Sequence, residues 1–166
     1  MRLSAEIRYD ADPATVFRML TDADFQERKC AATGALDHEV EIEEYDDGSA
    51  AIRTSRTMPT DQVPDFLRTF VGQTLTVVQV DDWQPAVADG SREGTALVEI
   101  TGAPVRLAAA MTMGPDGAGT RETIDGDLKA SVPLIGGRVE KAIEPALKAA
   151  IRVEQREGSA WLATPR

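Results

Sequence analysis

The sequence predicts an α+β fold in which one strand and two short helices precede six strands in a meander and one long closing helix. Three observations carry this. Apolar residues alternate with polar ones at the start and again from residue 35 onward, the period of a half-buried strand. Turn signals after residue 35 separate successive strands by only a few residues, which favours antiparallel neighbours because parallel crossovers need a dozen or more. The stretch "VPLIGGRVEKAIEPALKAAIRVEQREGSAWL" then changes to apolar spacing of three and four, the period of an amphipathic helix.

Leu3, Ala5, Ile7 and Tyr9 alternate with Arg2, Ser4, Glu6 and Arg8, giving a first strand with one wet face. In "DADPATVFRML", Asp12 is placed to cap a helix and Pro13 to occupy its first position, where a missing N–H costs nothing. A second short helix is expected over residues 23–32, ended by Gly34. In the strand that follows, Leu36, His38, Val40 and Ile42 are expected to face inward, and the acids between them to face water. "YDDGS" supplies a hairpin turn through Asp47-Gly48. Strands are expected over residues 50–58, 74–83, 94–101, 105–113 and 120–132, which with the first two makes seven. The segment 64–70, between two of them, reads as an irregular or helical connection.

The closing helix, of roughly 24 residues and about 36 Å, buries Val139, Ile143, Leu147, Ala150 and Ile151. Pro145 predicts a kink, or a firm segment that starts after it. Ala142, Ala146 and Ala150 are small enough to let the helix lie over the sheet without filling the space beneath. Gly136-Gly137 reads as a tight strand-to-helix turn that only glycine can make; as an anion site the pair lacks the longer pattern of a phosphate loop.

The chain resembles the START-related, polyketide-cyclase-like and birch-pollen-allergen-like (SRPBCC) superfamily with the helix-grip fold, through "DADPATVFRMLTD" after the first strand, the strands from residue 35, and "VPLIGGRVEKAIEPALKAAI". The similarity spans almost the whole chain, and "VPLIGG" is most similar to an uncharacterised actinobacterial branch. The resemblance implies a curved seven-stranded antiparallel sheet around the C-terminal helix. It also implies a mostly apolar cavity for lipids, sterols or polyketides, with catalysis (cyclase, dehydratase or hydrolase) in a minority of members.

Bulk properties narrow the function further. With 166 residues and 42% hydrophobic content, one domain over residues 1–166 is expected. A charge of −10, from 18 Lys plus Arg against 28 Asp plus Glu, argues against nucleic acid and anionic membranes as partners. The single Cys30 fits a reducing cytoplasm, and no run of eighteen apolar residues suggests stable membrane insertion. No cofactor or metal is expected: calcium-loop spacing and thiolate clusters are absent.

Candidate ligand-binding residues are the polar side chains on inward positions, His38, Arg56, Gln79 and Glu122. Trp83, Met111, Met113, Ile143 and Leu147 join them as lining. A buried polar group must be hydrogen-bonded or paired, so each of the four needs either a ligand or a neighbour. His38 alternatively satisfies the core or sits at an open rim; Arg56 and Glu122 alternatively pair with each other. Trp83 alternatively caps the core, and the methionines fill gaps. No catalytic residue is assigned: the one histidine limits triads to His38, and G-x-S-x-G is absent. The expected function is binding or transport of a small hydrophobic molecule, with a cyclase- or dehydratase-type enzyme or a regulatory interaction module as alternatives.

Overall fold

The computed structural model describes residues 1–165. Its elements run β1 (Arg2–Tyr9), α1 (Pro13–Leu20), α2 (Ala23–Ala32), β2 (Asp37–Glu44), β3 (Ala50–Pro59), α3 (Asp65–Val71), β4 (Thr74–Trp83), β5 (Arg92–Ile100), β6 (Val105–Asp116), β7 (Gly119–Ala130) and α4 (Gly136–Ala163). The strands form one antiparallel sheet in the order β1-β7-β6-β5-β4-β3-β2. The meander thus returns to β1 through β7, and the sheet curves around α4.

Local chemistry explains the element starts. Asp12 accepts from Thr15 N and Asp22 from Phe25 N, each satisfying a donor that the first helical turn leaves free. Gly48 holds φ at 87° in the β2–β3 turn, a conformation that costs glycine nothing. A different glycine serves the β6–β7 contact: a Cβ at Gly126 would lie 2.5 Å from Ala108 O, so β7 can approach β6 this closely only without a side chain.

The interior is built in two parts. At one end Tyr9, Phe17, Met19, Phe25, Trp83 and Trp161 belong to a solid cluster closed by α1, α2 and the last turns of α4. At the other, Leu67, Leu107, Leu128 and Val139 belong to a smaller cluster. α4 serves the two ends differently. Gly158 and Trp161 are buried, whereas Ala142, Ile143, Leu147 and Ala150 are only half-buried, because the middle of the helix roofs a space.

Gly158 lets α4 touch the sheet at the solid end. A Cβ there would lie 2.6 Å from Tyr9 Cε1 and 3.0 Å from Met19 Cε, both in the packed core. Gly158→Val is therefore expected to destabilise the protein by about 1–3 kcal/mol through overpacking, despite its better helix propensity. Chemical denaturation of the two proteins measures this, and an unchanged or raised midpoint would refute the close approach.

Three expectations are corrected. Leu36 precedes β2 and is 64% exposed, so it does not belong to the inward stripe. α4 has 28 residues and is already helical from Gly136 through Pro145, so its firm segment does not start after the proline. The left-handed residue of the strand-to-helix turn is Leu134, at φ 68°, not a glycine. Gly136 is required for a different reason, since a Cβ would lie 2.4 Å from Ala130 O. Of the two readings offered for residues 64–70, irregular or helical, the helical one holds, as α3.

Candidate binding cavity

A cavity of about 550 Å³ lies between the sheet and the first half of α4. Val77, Val98, Ile100, Leu107 and Leu128 form its floor, and Val139, Ile143, Leu147 and Val153 its roof. The alternation that puts one side chain in two on the concave face supplies the floor; the three-and-four spacing of α4 supplies the roof. Ala142, Ala146, Ala149 and Ala150 also line it, and their small side chains leave the volume open.

One side is covered by the segment between β3 and β4. Arg68 laces this cover together, donating to the carbonyls of Thr60, Asp61 and Val63, while Thr60 Oγ1 donates to Gly72 O at 2.7 Å. Leu67 and Phe70 of α3 point into the cavity wall, and Phe66 carries the Arg138 guanidinium 4.1 Å above its ring, joining the cover to the start of α4.

The polar groups collect at the inner end. Arg56 lines the cavity and is 8% exposed. Its Nη2 donates to Gln79 Oε1 at 3.4 Å, and Gln79 Nε2 donates to both Asp81 carboxylate oxygens, at 3.1 and 2.9 Å. Beside this relay, Lys29 Nζ meets Glu154 Oε2 at 3.2 Å in a buried ion pair between α2 and α4. Burial pushes the Asp81 carboxyl up to about 6, although Lys29 pulls the other way. Burial, reinforced by the charges of Glu154 and Asp81, raises Glu122 well above the ordinary carboxyl range. The Cys30 thiol is also pushed up by burial, which removes it as a ready nucleophile.

Of the residues predicted from sequence, Arg56, Ile143 and Leu147 line the cavity. Gln79 touches Arg56 and is half-buried behind it. Glu122 does not pair with Arg56: it is fully buried on β7, and its Oε2 has no partner. Trp83, Met111 and Met113 are buried in the solid cluster and are not on the cavity wall. His38 is half-buried on the edge strand β2, opposite Arg56 in register, and does not line the cavity.

Lys29, Asp81 and Glu154 were not among those candidates, yet two carry a sequence signal. Asp81 continues the inward phase of Leu75, Val77 and Gln79, and Glu154 lies in phase with Leu147, Ile151, Gly158 and Trp161. Lys29 carries none, because long cations on short helices are normally surface residues.

A family model described as "Protein of unknown function (DUF2505)" matches residues 4–162. The uncharacterized protein Rv0481c of Mycobacterium tuberculosis is 26% identical over 165 residues, covering 93% of this chain and 92% of the relative. Among solved structures, TTHA0849 from Thermus thermophilus aligns with a TM-score of 0.62 at 15% identity, covering 99% of this chain and 100% of that one. A START superfamily protein from Mycobacterium smegmatis gives 0.59 at 13% identity, covering 98% and 99%. The Zhui aromatase/cyclase from Streptomyces sp. R1128 gives 0.56 at 15%, covering 99% and 96%. These likenesses establish the START-type helix-grip fold. No helix among the described residues is long and apolar enough to cross a membrane.

Proposed function

The chain belongs to the DUF2505 family, and from that premise and the cavity we propose that it binds or carries a small hydrophobic molecule, lipid- or polyketide-like, between the sheet and α4. The observation that carries this reading is the cavity itself. Its volume of about 550 Å³ falls within the roughly 300–1,000 Å³ typical of small-molecule sites. Its wall is almost wholly apolar, so affinity would come from burial at about 25 cal/mol per Å². A protein selected only for stability would fill such a space, because cavities of this size weaken packing. We place this activity in the cytoplasm, where the buried Cys30 stays reduced.

The enzyme alternative requires an acid or base that reaches the ligand. Glu122 and Asp81, the buried carboxyls with raised pKa values, are absent from the cavity wall, which favours the carrier reading.

Filling the cavity tests the proposal. Val98 lines the cavity from the sheet floor on β5, so an enlarged side chain there takes up cavity volume. Val98→Phe is expected to weaken binding of an apolar fluorescent probe by more than about tenfold while changing stability by less than about 1.5 kcal/mol. Equal probe affinity in the two proteins would place the bound molecule elsewhere.

A further inference from the structure

We infer that the molecule held in the cavity carries a carboxylate, and that this group seats on Arg56. The inference rests on the proposed hydrophobic-ligand function and names the class of ligand within it: an apolar body with one anionic end.

The argument begins from the partners Arg56 lacks. A guanidinium offers five N–H donors in a planar fork and cannot shed its charge. Arg56 is more than nine-tenths buried, yet its Nε has no hydrogen-bond partner. Its one side-chain bond, at 3.4 Å, goes to the neutral amide of Gln79. Among the described residues, no carboxylate lies within ion-pair distance of it.

The surrounding acids are otherwise engaged. Glu154 is held by Lys29 at 3.2 Å, and Asp81 is held through both oxygens by Gln79, which stands between it and Arg56. Asp61, the other charged residue on the cavity wall, is exposed. A buried cation without a direct counter-ion is costly, and the cavity is the side from which one can arrive. A ligand carboxylate is planar, matches the guanidinium fork and gains charge-assisted hydrogen bonds strengthened by the apolar surroundings. Gln79 then acts as a positioning residue, fixing the fork from behind.

Three matched probes decide the question: dodecanoate, dodecanol and the methyl ester of dodecanoate, titrated into the parent protein and Arg56→Met at pH 7.5 and low salt. The parent is expected to bind dodecanoate at least about tenfold tighter than either neutral probe, the scale of a charge-assisted hydrogen bond. Arg56→Met is expected to lose that preference and to keep its affinity for dodecanol. A parent that binds all three equally, or a variant that retains the preference, overturns the carboxylate assignment and leaves the hydrophobic-ligand reading standing. Failure of the parent to bind any probe overturns both. Should Arg56→Met not fold, the parent's own preference decides, with Arg56→Gln as the second variant.

Discussion

Glu154→Ala is expected to lower stability by about 3–5 kcal/mol, the usual result of removing one partner from a buried ion pair. The pair joins α2 to α4 at 3.2 Å, with side-chain exposures of 7% for Lys29 and 15% for Glu154. Desolvation alone would pull the Lys29 pKa down, but Glu154 and then Asp81 outweigh it and hold the ammonium charged. Without Glu154 the cation remains beneath α4 without its direct partner, facing the more distant Asp81 and the Phe25 ring, 5.8 Å away. Urea denaturation at pH 7 measures the loss, and a change below about 1 kcal/mol would mean that solvent reaches Lys29. The double variant Lys29→Met with Glu154→Leu separates charge from packing. It is expected to recover most of the loss, because apolar replacement of a whole buried pair is often neutral or stabilising.

That pair also shows where sequence reasoning reaches its limit. The fold was legible because its signals are local: alternation marks the seven strands, Asp12-Pro13 marks a helix start, and α4 announces itself by its spacing. The cavity was legible in part, through Ala142, Ala146 and Ala150 and through the inward Arg56. Phase alone cannot say how far along the sheet a side chain sits from the roof. His38, Arg56, Met113 and Glu122 share the concave face, yet only Arg56 stands where α4 and the sheet part; Met113 and Glu122 lie toward the end that α1 and Trp161 fill. The β3–β4 segment is harder still. Its cover is held by Arg68 bonding to three backbone carbonyls, and loop closure of that kind leaves no periodicity to read.

Asp81→Asn is expected to make the ligand-free protein more stable at neutral pH, an unusual outcome for removing a hydrogen-bonded buried carboxylate. Asp81 faces Lys29 from α2, Arg56 from β3, Glu122 from β7 and Glu154 from α4, with Gln79 beside it on β4. Burial dominates this set and raises the carboxyl from 3.8 to about 6. A carboxyl with a raised folded-state pKa holds its proton in the native protein over a pH range where the unfolded chain has released it. Stability therefore falls as pH rises through that window, from about 4 to about 6, and stays reduced above it. Moving the carboxyl from 3.8 to about 6 corresponds to a penalty on the order of 3 kcal/mol. Asparagine keeps an acceptor for Gln79 and never ionises. The difference between variant and parent should thus be small near pH 4 and reach on the order of 3 kcal/mol in favour of the variant above pH 6. Denaturant midpoints across that range measure it; a difference that does not vary with pH would show that Asp81 ionises as freely in the folded protein as in the unfolded chain. Removing this charge also leaves Arg56 with less to offset it, so the same variant should bind dodecanoate more tightly than the parent at pH 7.5 and bind dodecanol unchanged. Stability and ligand selection then respond to one carboxyl, because the group that burdens the ligand-free fold also competes for the cation in its cavity.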